Sequence, residues 1–455
     1  MTASGHFVCN ILFRTFKSVI TNMKILVIGS GGREHALCWS LGKDAPATQQ
    51  LYCAPGNAGV AEIARRVNLG ATDVGGLARF AEAERIDLTI VGGEATLAAG
   101  LADEFERRGM LVAGACRSAA RLESSKAFAK DFMARHKIPT ARYRVVDSIE
   151  AAREILERGE FGGPDQRVVV KADGLAAGKG VVVAASRKEA LSAAEDLLSG
   201  AMVGTEAAQR IVIEEALSGP EASLLLFSDG RDYALMPAAR DHKRVGENDT
   251  GPNTGGMGVV TDRDILDEEM LARVVREIVE PTLSGAEAEG LKFRGVLFIG
   301  LMLTPIGPRV LEYNVRFGDP EAQAILVRLE TSLVDIFESV ARGRLGQVRV
   351  GWSDEASACV VLAVRGYPAR PETGARISGL ERAAEHGEVH LFHAGTVRSP
   401  DGDWLTAGGR VLGVTATGPT LEEARRRSYA AIKEIHWDGM HYRRDIGKHG
   451  ASPQR

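Results

Sequence analysis

At 455 residues the chain is too long for one hydrophobic core, and about 150 residues per domain suggests three. Hydrophobic residues at 45%, charged residues at 25%, aromatics at only 5% and 52 glycines suit a turn-rich α/β enzyme better than an aromatic-lined binding module, and a net charge of −4 gives no reason to expect nucleic acid or an anionic membrane as partner. Five scattered cysteines (Cys9, Cys38, Cys53, Cys116, Cys359), never paired as C-x-x-C, disfavour a disulfide framework or zinc site and fit a reducing cytoplasm.

Residues 1–22 are basic and acid-free, and are expected to be a disordered extension or upstream start, with a short targeting segment as the alternative. No apolar run approaches the ~18 residues of a membrane span. From Lys24, apolar strands alternate with helical stretches, which predicts a doubly wound parallel-sheet domain over 23–123. Its first turn, "GSGGREHA" (29–36), joins a strand to a helix and suits either a small phosphorylated ligand or a plain structural turn. Glu34 stands where a dinucleotide fingerprint needs its third glycine, and "CAPGN" ends the second strand without an acidic residue. A dinucleotide is therefore disfavoured.

A helix is expected at 118–136, stopped near Pro139. Next comes "KADGLAAGKG" (171–180), one residue short of a Walker A loop and with Gly180 in place of Ser or Thr. A strand lysine, Lys171, followed by a glycine-rich flap with Lys179 suits closure over phosphates; the plain alternative is a hairpin with solvated lysines. Glu214 and Glu215 end an apolar strand and point to opposite faces, so one could grip an adenine or ribose, or both could be solvated. Residues 240–258 read as a long polar, glycine-rich loop, and 267–289 as a helix. From about 350 a further α/β unit is expected; its His390 and His393 face opposite sides of a strand, which disfavours a metal there.

"VLEYNVRFGDPE" (310–321) carries the sharpest chemistry. In a strand Glu312, Asn314 and Arg316 share one face within about 13 Å. A Glu-x-Asn pair offers hard oxygen ligands to Mg2+, and the arginine can fork onto a phosphate or carboxylate; a structural ion-pair network is the alternative. With the lysine flap, the combined expectation is Mg-ATP chemistry without a P-loop. A nucleotide-binding scaffold with a degenerate site, or a dehydrogenase, accounts for fewer of these residues.

Taken in order, "IGSGGREHAL", "PGNAG", "LESSKAFAKDFMARHKIPTA", "VKADGLAAGKGV", "DHKRVG…DTGPNTGGMG", "RFGDPE" and "WDGMHYRRDIG" resemble the glycinamide ribonucleotide synthetase family of the ATP-grasp superfamily over residues 23–447. The resemblance implies an α/β multidomain ligase: a substrate-binding domain at 23–123, a two-lobed ATP-grasp core at 124–347 with its lid lobe at about 145–216, a small C-terminal α/β domain at 348–447, and a tail at 448–455. It implies that ATP, glycine and 5-phosphoribosylamine are the substrates, with a glycyl phosphate intermediate, in purine biosynthesis. Another ATP-grasp carboxylate–amine ligase or a carboxylase subunit would share the mechanism.

By the same resemblance, Glu312 and Asn314 hold Mg2+ or Mn2+, and Arg316, Lys171 and Asp241 are catalytic. Lys126, Lys171, Gly178, Lys179, Gly180, Glu214, Glu215, Leu217 and Glu221 fall at ATP. Gly31, Gly32, Asn57, Glu94, Asp241, Lys243, Asn253 and Arg316 fall at the other substrates. A cytoplasmic monomer with small-molecule partners is expected. The family string resembling G-P-E-A-P-L is "GGEATL" (92–97) in this chain, so Gly93 and Thr96 replace two prolines and that loop is expected to be less pre-organised.

Overall fold

The computed structural model describes residues 23–43, 50–175, 180–200 and 209–448. The N-terminal extension, Gly178, Lys179 and residues 449–455 of the tail lie outside them. The first strand, Ile25–Gly29, is buried on both faces and pairs in parallel with Leu51–Pro55 and Leu88–Val91. Arg65–Arg66 and Val112–Ala113 complete a five-stranded sheet in which the chain winds outward from its first strand in both directions. The direction of winding switches between Ile25–Gly29 and Leu88–Val91, and such a switch opens a crevice at the strands' carboxyl ends. The turns after these two strands carry Gly31 and Glu94.

The predicted helix at 118–136 is two helices, Arg117–Ser124 and Lys126–Arg135. They break at Ser125, whose extended backbone lets its Oγ accept from the Phe128 amide as an N-cap. The expected helix at 267–289 passes through a π turn, Val275–Val279, just before Pro281, which cannot donate the bond a regular helix needs there.

Strands Tyr143–Val146, Ile211–Glu215, Val168–Ala172 and Val181–Ala184 form a separate antiparallel sheet. Helices Ile149–Glu157 and Arg187–Leu198 cover it, and the lobe keeps its own apolar core around Val170, Ile213, Ala152 and Leu197. The rest of the central region is a long antiparallel sheet in which Gly307–Asn314 is the edge strand, followed by Gly295–Thr304, Glu221–Ser228, Ala239–Asp241 and Gly258–Thr261.

Two expectations change here. Residues 240–258 are not one long loop: Arg244–Gly246 and Thr250–Asn253 pair as a small hairpin between sheet strands. Nor do the C-terminal strands all form a sheet of their own: Arg376–Ile377, Trp404–Thr406 and Thr396–Arg398 do, but the longer strands extend the central sheet. Ala356–Ala363 pairs with Gly258–Thr261, and Arg410–Gly418 and Val389–His393 continue outward from it. Ala356–Ala363 and Arg410–Gly418 are buried on both faces, which calls for a covering layer on each; the helices Leu421–Ile432 and Glu321–Leu326 both pack on them.

The N-terminal domain is clamped to these C-terminal strands by histidines. His35 Nδ1 accepts the His393 amide at 2.7 Å, and the two rings lie 5.5 Å apart. His393 Nδ1 meets Thr396 Oγ1 at 3.0 Å, while His390 packs on Trp39. Burial, with the neighbouring His393, lowers the His35 pKa to about 3; burial, with Arg398, lowers that of His393 to about 4. Both rings fold neutral, so the unfolded chain binds more protons below pH 6.5 and stability is lost as pH falls toward those values. In urea titrations, wild type should therefore lose stability relative to His35→Gln on going from pH 6.5 to 5, by up to about 1.4 kcal/mol per pH unit. Parallel stability curves for the two proteins over that range would contradict the neutral clamp.

Candidate active site

The edge strand Gly307–Asn314 brings Glu312 and Asn314 to the seam between the lid lobe and the long sheet, and Arg316 follows just beyond its end. Arg316 is the most connected of the three. Its guanidinium meets Glu123 Oε1 at 2.7 Å, Glu94 Oε2 at 3.1 Å and Asn314 Oδ1 at 3.2 Å, and donates to the Phe317 carbonyl. Glu94 comes from the crevice of the first sheet, and Glu123 from the helix Arg117–Ser124, where its other oxygen accepts the Val315 amide at 2.8 Å. The crevice and the edge strand thus share one guanidinium.

Glu312 faces cations. Burial alone would raise its pKa, but Lys243, Lys171, Lys126 and Arg316 outweigh that and hold the carboxyl below its usual range. Lys126 opens its helix, with Nζ 3.5 Å from the Gly174 carbonyl; burial lowers its pKa against the pull of Glu312. Lys171 Nζ lies 3.1 Å from Glu214 Oε2, 3.0 Å from Oε1 and 3.2 Å from the Leu311 carbonyl. The contact to Oε1 is ionic only, without hydrogen-bond alignment. Lys243 Nζ is 2.9 Å from Glu221 Oε2 and 3.9 Å from Asp241 Oδ2, and the Asp241 carboxylate raises its pKa well above the usual value. Glu321, buried beyond the Gly318 turn, has its pKa pushed up to about 7 by burial and by Asp241.

The predicted residues thus fall into groups. Lys126, Lys171, Asp241, Lys243, Glu312 and Arg316 converge electrostatically, and Gly180 accepts the Ala172 amide at 2.8 Å. The carboxylate of Glu214 is taken by lysines, whereas Glu215 turns outward to Arg142, as opposite strand faces require. Leu217 is half-buried just past that strand, Glu221 is exposed, and Asn253 sits half-buried opposite Arg244 in the small hairpin.

Other predicted groups are engaged in holding the chain together. Asn57 Nδ2 donates to the Ser30 and His393 carbonyls at 2.9 and 2.8 Å, and its Oδ1 accepts the Val60 amide, so its amide ties the "PGNAG" turn into the domain junction. The Gly31 amide donates to Glu34 Oε2 at 2.6 Å, so the anion at this helix start is the chain's own carboxylate. A Cβ on Gly32 would meet Gln323 Nε2 at 2.5 Å, which shows how closely the first turn approaches the helix after "RFGDPE". Thr96 is buried and donates to the Ala71 carbonyl at 2.9 Å, pinning the loop by a hydrogen bond where the two prolines are absent.

Several supporting residues lay outside the sequence reading. Asp173 accepts from Ser125 Oγ and the Ala127 amide and pairs with Arg210, tying the foot of the flap to the helix of Lys126. Arg410, from a C-terminal strand, donates to the Gly255 and Asp319 carbonyls and pairs with Asp319 Oδ2 at 3.1 Å, holding the "TGGMG" and "FGDPE" turns together. Gly256 allows that approach with φ +109; a Cβ would sit 2.6 Å from Pro320 Cδ. Lys130 and Glu123 complete the set. Only Lys130, one helical turn after Lys126, carried a signal in its spacing.

Family models for phosphoribosylglycinamide synthetase match the chain in three consecutive parts: the N domain at residues 23–123, the ATP-grasp (A) domain at 124–322 and the C domain at 357–449. A phosphoribosylamine–glycine ligase of Brucella melitensis is 47% identical over 93% of this chain and 97% of its own length. Its counterpart from Xanthomonas axonopodis pv. citri is 47% identical over 95% and 99%. The crystal structure of the Thermotoga maritima phosphoribosylamine–glycine ligase superposes with a TM-score of 0.80 at 35% identity, covering 93% of this chain and all of that one. A Campylobacter jejuni biotin carboxylase shares the fold, with a TM-score of 0.67 at 14% identity. The chain belongs to the phosphoribosylglycinamide synthetase family, in the ATP-grasp fold.

Proposed function

We infer that this chain is an ATP-dependent phosphoribosylamine–glycine ligase, which forms glycinamide ribonucleotide with release of ADP and phosphate in purine biosynthesis. One observation carries the reading beyond family membership: Arg316 is shared by the strand of Glu312 and Asn314 and by Glu94 of the first sheet's crevice. A phosphoryl-transfer site and an acceptor site so arranged would lie on either side of one cation.

In this reading glycine's carboxylate attacks the γ-phosphate of ATP, giving glycyl phosphate and ADP; the amine of 5-phosphoribosylamine then attacks the acyl carbon and phosphate leaves. Such transfers depend on positioning and charge neutralisation rather than a protein nucleophile. Lys126 and Lys171 would meet the phosphates, and the segment with Gly178, Lys179 and Gly180 would close over them. The strand end at Glu214, Glu215 and Leu217, with Glu221 beyond, would receive the nucleoside. Asp241, Lys243 and Asn253 would receive glycine beside Arg316, and Gly31, Gly32, Asn57 and Glu94 would shape the pocket of the amine.

Glu312 and Asn314 fit a divalent metal: both present hard oxygen donors, and the surrounding cations keep Glu312 ionised. Mg2+ or Mn2+, when bound, would neutralise charge on the transferring phosphates. Arg316 would hold the migrating phosphoryl charge, released to it from Glu94 or Glu123. We read the protein as a cytoplasmic monomer; no helix among the described residues is long and apolar enough to cross a membrane.

ADP release should require glycine, a divalent metal and phosphoribosylamine generated from ribose 5-phosphate and ammonia; release that ignores either organic substrate, or that follows bicarbonate and biotin instead, would overturn the assignment. Arg316→Ala should lower turnover about 10²–10³-fold, the scale for removing one preorganised charge-stabilising group. Near-normal turnover would remove that role from Arg316. Glu312→Gln should shift the metal titration to higher concentration, and an unchanged titration would count against its ligand role.

A further inference from the structure

Lys130 lies one turn after Lys126 on the same helix, and only 2% of its side chain is exposed. Its Nζ stands 2.9 Å from Glu214 Oε2 and donates to Thr140 Oγ1 at 2.8 Å. Thr140 passes the link on, donating to the Val310 carbonyl of the edge strand at 2.6 Å. Lys171 reaches the same carboxylate from the cleft side. One carboxylate, itself 2% exposed, thus holds two ammonium groups, one walled in and one beside the opening.

Two cations on one carboxylate make sense if one of them has to leave. A buried carboxylate stripped of its sole partner is strongly destabilised, because it loses the attraction that offset its desolvation. Were Lys171 alone on Glu214, turning toward a phosphate would cost that penalty and the lysine would stay where it is. With Lys130 fixed in place by Thr140, Glu214 keeps a full counter-charge when Lys171 departs. Burial lowers the pKa of Lys130 to about 8, Glu214 pulls it back up and Lys171 pushes it further down, so the ammonium form persists at neutral pH.

We propose that Lys130 is a positioning residue for nucleotide binding: it is the permanent counter-ion of Glu214 and thereby frees Lys171 to reach the phosphates of ATP. The proposal rests on the reading of the cleft as an ATP site. Lys130 itself touches no substrate. It acts through Glu214, and the same helix and threonine link set the depth of Lys126 and of the edge strand around it.

Calorimetric titration of the full chain with Mg-ATP separates this role from mere packing. Lys130→Met should weaken ATP binding by about 10- to 100-fold, the range of coupling between neighbouring buried charges, with KM for ATP rising more than kcat falls. Measured against Glu214→Gln alone, adding Lys130→Met should cost little further, because no carboxylate is left to retain Lys171; Lys130→Arg should stay within about threefold of wild type. A packing role predicts instead that the two losses add, and a double variant about tenfold or more weaker than Glu214→Gln would overturn the proposal. So would a folded Lys130→Met with wild-type affinity. Should Lys130→Met not fold, Lys130→Gln in the Glu214→Gln background, set against Glu214→Gln alone, carries the same comparison: equal affinities support the role and a further tenfold loss refutes it. Wild type that binds no ATP would refute the ATP-site reading and this proposal with it, whereas ATP binding by wild type with an unaffected Lys130→Met refutes this proposal alone.

Discussion

The guanidinium of Arg316 is where the molecule is joined chemically as well as mechanically. Glu94 arrives from the first sheet, Glu123 from the helix that leads out of it, and Asn314 from the edge strand of the central sheet. The two carboxylates differ: burial raises the pKa of Glu123, while Glu94, against its own burial, is lowered by Arg316 and Arg33. An arginine can serve several such partners at once because its donors fan out in a plane. A lysine in that position would present a point charge without the fixed planar fork that meets Glu94, Glu123 and Asn314 together.

The same economy of charge recurs around the cleft. Cations that would repel one another are each provided with an anion: Lys171 with Glu214, Lys243 with Glu221 and Asp241, Arg410 with Asp319. Charges paired in this way can be gathered closely before any phosphate enters, and a low-dielectric setting strengthens them once solvent leaves. The arrangement also explains the mixture of buried acids and bases in a chain whose net charge is only −4.

How much of this could be read from the sequence depended on distance along the chain. The alternation of strand and helix and the Glu312-x-Asn314-x-Arg316 spacing are local, so the doubly wound domain and the polar strand face were legible. Arg316 falls beyond the strand as formed, and its partners Glu94 and Glu123 are 222 and 193 residues away by number, which no local pattern encodes. The role of Asn57 was obscured for the same reason, since His393 comes to it only through the fold. Residues 240–258 looked like one loop because glycines and polar residues hide short strands whose pairing is tertiary. The strand of His390 and His393 was legible, but that both would pack on the first helix, His390 on Trp39 and His393 by His35, depended on the domain junction.

The C-terminal strands, laid against Gly258–Thr261, give the central sheet a covered flank. A shortened chain ending near residue 350 would bare the backbone of Gly258–Thr261, a fully buried strand that follows a glycine-rich turn. An exposed ribbon of that kind recruits strands from other molecules, so the C-terminal segment guards against self-association as well as bracing two turns through Arg410. The segment matched by the C-domain family model is thus also the far side of the central sheet, joined to it through Ala356–Ala363.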